Sequence, residues 1–128
     1  MIPIIDDDRS IREAVRSLIG SLGYEAVAFS SAEEYLRSDR VADSECIITD
    51  LQMPGMTGID LRHRLIEGGY RKSVILMSAL SAEDAGAHAM EAGSYRFLRK
   101  PFSDERLIEC LDRALGIFTK SPPNRPLT

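Results

Sequence analysis

Cys46-Ile47-Ile48-Thr49-Asp50-Leu51-Gln52-Met53-Pro54-Gly55-Met56-Thr57-Gly58 is the stretch that decides the fold. Its apolar, β-branched opening reads as a buried strand. Asp50 stands where that run stops, which puts a carboxylate at the carboxyl edge of a sheet. Pro54, Gly55 and Gly58 then force a loop, because proline lacks an N–H and glycine permits left-handed dihedrals. Ligand crevices of open parallel sheets lie just outside such strand ends. Taken alone, Asp50 is better explained as a solvated residue opening a turn.

Three other stretches repeat the pattern. Ile4-Ile5-Asp6-Asp7-Asp8 is an apolar run ending in carboxylates. Val74-Ile75-Leu76-Met77-Ser78-Ala79 ends in a hydroxyl and a small residue, and Phe97-Leu98-Arg99-Lys100-Pro101-Phe102 ends in a lysine before a proline. In this combination the chain resembles the receiver domain of two-component response regulators, closest to the FixJ type, over roughly Ile4 to Phe118. The alternation of strands and helices without hairpin signals independently implies a parallel sheet covered on both faces. The resemblance implies the flavodoxin-like (βα)5 form of that doubly wound α/β sheet, with strand order 2-1-3-4-5. Residues 1–118 are expected to form the receiver domain. Thr119–Thr128, with Pro122, Pro123 and Pro126 and no apolar period, is expected to be a tail or linker.

The chain has 128 residues, enough for one domain with a sizeable core. A net charge of −4 with interspersed signs argues against a nucleic-acid surface. No apolar run approaches a membrane span, and nothing before Asp6 reads as a signal peptide. Cys46 and Cys110 lack metal or redox spacing and read as buried reduced thiols, so a cytoplasmic location is expected.

Along the chain, Pro3 is tolerable only at the start of the first strand. Ser10 with Glu13 predicts a capping box for a helix whose inward stripe is Ile11, Ala14, Val15, Leu18, Ile19 and Leu22, closed by Gly23. Tyr24 to Phe29 predicts a second strand, and Ser31 with Glu34 caps a second helix carrying Tyr35 and Leu36. Arg37 to Glu45 reads as its fraying end and a loop. Ile59, Arg62, Leu65 and Ile66 suggest a third helix stopped at Gly68-Gly69. Ser81 to Gly93 predicts an alanine-rich fourth helix. Ser103 or Asp104 caps a last one, with Leu107, Ile108, Leu111, Ala114, Leu115 and Phe118 inward.

Borrowed strand order brings Asp6, Asp7, Asp50 and Lys100 to one crevice. Packed carboxylates repel, so they need a cation or must take up protons. Mg2+ suits such a site, being a hard ion that keeps several waters beside a few carboxylates. The resemblance assigns Asp7, Asp50 and the backbone carbonyl of Gln52 to the metal, with Asp6 acting directly or through water. Asp8 is better read as an acidic helix start. The resemblance further makes Asp50 the phosphoacceptor, Lys100 the partner of a phosphoryl oxygen before a cis Pro101, and Ser78 a hydroxyl donor. Phe97 would turn with Ser78 as the switch. Gln52 and Leu80 would tune the lifetime of the phosphorylated state.

The implied donor is a histidine kinase or histidine phosphotransfer protein. The readout surface would be the fourth helix, fifth strand and fifth helix of such domains, including Arg96 and Arg99. That face is also a candidate for homodimerisation, and the controlled output would be transcription. His63 and His88 read as solvated. A phosphohydrolase using an aspartate nucleophile needs an acid two residues on, and Gln52 cannot donate and recover that proton. A nucleotide- or flavin-binding module needs a glycine-rich loop after the first strand, where this chain has Asp6-Asp7-Asp8. A receiver-shaped module without phosphorylation would lack site residues that are present here.

Overall fold

The computed structural model describes residues 1–80 and 95–116. Four short apolar runs become β1 (Ile2–Ile5), β2 (Ala26–Phe29), β3 (Ile47–Asp50) and β4 (Val74–Ser78), and a fifth, β5 (Tyr95–Arg99), follows. All pair in parallel in one sheet of order β2-β1-β3-β4-β5, the order implied by the resemblance. Four helices are described: α1 (Arg9–Ser21), α2 (Ala32–Arg37), α3 (Gly58–Glu67) and α4 (Asp104–Ala114). The helix expected from Ser81 to Gly93, with His88, lies outside the described residues, as do Phe118 and the proline-rich segment from Thr119.

Side chains alternate across a strand, so each apolar run feeds two cores. Ile5, Ile47, Val74 and Leu76 pack with Tyr35 of α2 and with Leu61 and Leu65 of α3. Ile4, Ile48, Ile75 and Met77 pack with Val15 and Ile19 of α1 and with Leu107 and Leu111 of α4. The central strands are buried throughout, which is why they read as continuous apolar runs rather than alternating ones.

Pro3 lies second in β1, opposite Val27. Ile2 and Asp6 donate their N–H groups to β2-side carbonyls, of Glu25 and Phe29. Position 3 therefore faces β3, whose pairing with β1 is registered from Ile4 onward. The missing N–H falls just short of that ladder.

Several local expectations are corrected. The N-cap of α1 is Asp8, whose carboxylate accepts from Ile11 N–H at 3.2 Å, while Glu13 pairs with Arg16. An aspartate two residues earlier thus displaces the Ser10 box. Ala14 is exposed and Leu22, 41% exposed, is the C-cap of α1. Ile66 is 40% exposed, and Leu61 takes the inward place on α3. Cys46 is buried, whereas Cys110 is only partly so. The Arg37–Glu45 segment is not simply fraying, because Ser44 is fully buried. Its hydroxyl donates to the Arg40 carbonyl at 2.8 Å and shares a 2.6 Å hydrogen bond with Tyr35. Elsewhere Ser31 and Ser103 cap α2 and α4 as the sequence allows.

Gly58 needs a different account from the one its loop position suggests. Its φ is not left-handed. It is the first residue of α3, and a Cβ there would lie 2.5 Å from the Asp50 carbonyl oxygen and 2.9 Å from Leu51 Cα. Gly58 N–H donates to Leu51 O at 2.9 Å, so α3 starts directly against the end of β3. Gly58→Ala gains up to about 1 kcal/mol of helix propensity but forces backbone against backbone. A net loss of about 2 kcal/mol is expected by urea unfolding, and a change smaller than about 0.5 kcal/mol would contradict the close approach.

Candidate functional site

Three strand ends meet where β1, β3 and β5 finish. Asp6 follows β1 directly and is fully buried, Asp50 ends β3 at 6% exposure, and Asp7 is exposed. One carboxylate oxygen from each lies within 4.8 Å of the others. Lys100, immediately after β5, puts its ammonium 2.9 Å from Asp50 Oδ1 and 3.0 Å from Asp6 Oδ2. Its backbone N–H donates to the Ser78 carbonyl at 2.7 Å, and the Lys100–Pro101 bond is cis. The sequence-predicted quartet is therefore brought together.

Asp6 is held on every side. Its second oxygen accepts Asp8 N–H at 2.9 Å, and its backbone carbonyl accepts from the Arg12 guanidinium at 2.8 Å. Arg12 carried no motif signal and was missed. Ser78, 1% exposed, ends β4, with its hydroxyl oxygen accepting Leu80 N–H at 3.0 Å. It caps that turn as strand-end serines commonly do. Leu80 and Phe97 are half-buried, Phe97 beside Leu76 in register and against the α2–α3 core. Gln52 is exposed on the loop that follows Asp50, and His63 is exposed on α3.

The electrostatics are those of a compressed acidic site. Burial pushes the Asp50 carboxyl above its ordinary value. Lys100 pulls it back, and Asp6 and Asp7 push it up again. Burial alone would lower the Lys100 ammonium, but hydrogen bonds and charge from Asp50 and Asp6 outweigh it and raise the group. The thiols are not part of this chemistry. Burial raises Cys46 to about 12 and Cys110 to about 11, so both stay protonated at neutral pH.

This arrangement defines a class. A profile of the response regulator receiver domain matches residues 2–112, and the chain belongs to that family. Among its relatives is the transcriptional regulatory protein FixJ of Azorhizobium caulinodans, 34% identical over 115 residues, 90% of this chain and 54% of that protein. Another is the response regulator protein TmoT of Ectopseudomonas mendocina, 33% identical over 126 residues, 98% of this chain and 57% of that one. The structure of chemotaxis protein CheY4 of Vibrio cholerae matches with a TM-score of 0.78 at 27% identity, over 89% of this chain and 97% of that one. The chain spans about half the length of the curated relatives it matches. No helix among the described residues is long and apolar enough to cross a membrane.

The charge balance makes a prediction. A carboxyl raised on folding binds more protons folded than unfolded, so its ionised form costs stability above the raised value. In chelator, Asp50→Asn should unfold later than wild type at pH 7, by about 1 kcal/mol or roughly 4 °C. That gap should narrow as pH falls through the raised carboxyl value and close near the ordinary one. A variant less stable than wild type would mean that Lys100 overcompensates the cluster.

Proposed function

We propose that Asp50 is the phosphoacceptor of this receiver domain and that the site works with Mg2+. The observation that carries the reading is the Lys100 ammonium lying within 3.0 Å of both Asp50 and Asp6, beside the exposed carboxylate of Asp7. A nucleophilic carboxylate needs its negative partners offset and one oxygen aimed at phosphorus. In the transfer, an Asp50 oxygen bonds to phosphorus as the P–N bond of a donor phosphohistidine breaks. The leaving imidazole keeps the electron pair and takes up a proton. Lys100 then turns from the carboxylates to a phosphoryl oxygen as a point charge.

The donor set fits the metal: clustered carboxylates with solvent on the Asp7 side suit a hard ion that retains water. Asp7, Asp50 and the Gln52 carbonyl would hold it, and it would neutralise charge on the transferred group. Asp6 acts through water or electrostatically, because its oxygens already serve Asp8 N–H and Lys100.

The Ser78 hydroxyl donates to the phosphoryl group, giving up the Leu80 N–H, and Phe97 follows it inward. Arg96 and Arg99, both exposed on β5, belong to the surface that reads the change, by homodimerisation or another contact. The donor is a histidine kinase or phosphotransfer protein. The controlled output is transcription, as the names of the longer relatives suggest. Leu80 and Gln52 border the path of the hydrolytic water and set a slow decay.

The test is incubation with acetyl phosphate and Mg2+, read by intact mass. One base-labile phosphoryl group is expected on wild type and none on Asp50→Asn or in chelator. Leu80→Glu should lose its label faster than wild type once the donor is removed. Full labelling of Asp50→Asn would overturn the assignment.

A further inference from the structure

The loop from Leu51 to Thr57 carries Gln52 and joins the end of β3 to α3. Its two ends are fixed by the sheet and the helix: Leu51 N–H donates to Met77 O at 2.7 Å, and Thr57 with Asp60 forms a capping box. Leu51 and Met53 are buried, while Gln52, Pro54 and Gly55 are exposed. A third tie comes from an unexpected direction. Glu33, in the first turn of α2, reaches across 23 residues of sequence and accepts Met56 N–H on its Oε2 at 3.0 Å. Gly55, at φ +76°, leaves the room for it, because a Cβ at that position would lie 2.7 Å from the same oxygen. Hydrogen bonds from its own backbone N–H and from Met56 hold the Glu33 carboxyl below the usual range. The contact is thus made by the ionised form, which accepts hydrogen bonds most strongly.

We propose that Glu33 is a positioning residue for the phosphoacceptor site: by gripping Met56 N–H it holds the β3–α3 loop, and with it the Gln52 backbone, in the arrangement that receives Mg2+. The inference rests on the reading of Asp50 and Gln52 given above. Its physics is a population argument. An exposed loop that turns on a left-handed glycine has other arrangements open to it. Apparent metal affinity falls in proportion to the fraction of chains whose loop is ready. An acidic residue in the first turn also favours the helix dipole of α2 by itself. That simpler role would stabilise α2 without touching the metal.

The two roles separate with Glu33→Ala and Glu33→Gln, since the amide oxygen still accepts Met56 N–H but carries no charge. Magnesium binding is read by calorimetry without any phosphodonor, and the Met56 amide by hydrogen exchange in chelator. Glu33→Ala should weaken Mg2+ about tenfold and speed Met56 exchange by a similar factor. Glu33→Gln, a weaker neutral acceptor, should lose clearly less than Glu33→Ala in both, about two- to threefold. Gly55→Asn, which keeps the left-handed turn while crowding Glu33, should weaken Mg2+ in the wild-type background and add nothing to Glu33→Ala.

Wild-type Mg2+ affinity in Glu33→Ala, with Asp50→Asn weakened, would overturn this proposal alone. Equal losses in Glu33→Ala and Glu33→Gln would overturn it, because the charge of Glu33 and not its grip on Met56 N–H would then carry the effect. Equal Mg2+ binding by wild type and Asp50→Asn would overturn it together with the phosphoacceptor reading.

Discussion

Three carboxylates within 4.8 Å of one another, two of them buried, are an arrangement that a fold tolerates only with a countercharge. Lys100 provides it. The ammonium bridges Asp6 and Asp50, and its own backbone is tied to Ser78, so four strand ends meet in one knot. Burial first, then the charges of Asp6 and Asp7, keep Asp50 above its ordinary value despite the lysine. Asp7 is the member of the cluster open to solvent.

Sheet order sets which strand ends are neighbours. With β1 between β2 and β3, the ends of β1 and β3 are adjacent, and β4 brings Ser78 between Asp50 and β5. Ser78 and Arg99 are register partners, and Leu76 pairs with Phe97 two residues back. A change in what the Ser78 hydroxyl bonds is thus one step from the exposed arginines of β5. At the end of β3, α3 starts tightly at Gly58 against the Asp50 carbonyl.

What the sequence made legible was whatever has a short period. Apolar runs ending in Asp6, Asp50, Ser78 and Lys100 marked four strand ends, and helical stripes found Val15, Ile19, Leu65, Leu107 and Leu111. Convergence of the ends was legible only because the strand order came with the resemblance, since nothing in the spacing of the runs fixes which strand is central. Contacts that skip elements left no trace. Arg12 reaches back to the Asp6 carbonyl, Glu33 crosses to Met56, and Tyr35 meets Ser44 in a stretch that read as plain loop. At the start of α1, the sequence pointed to Ser10 as the cap, and the structure caps with Asp8 instead. Gly58 was marked as special for the wrong reason, its requirement being space rather than a left-handed turn.

Lys100 as resident countercharge is the claim from which the rest follows, and calorimetric Mg2+ titration of Lys100→Met against wild type reads it most directly. Removing one positive charge a few ångströms from the carboxylates leaves the cluster more negative. Mg2+ should therefore bind tighter, by about tenfold at the effective dielectric of a half-buried site, even as the phosphoryl group loses its partner. Weaker Mg2+ binding by Lys100→Met would mean that the lysine organises the carboxylates rather than compensating them, and would contradict the account.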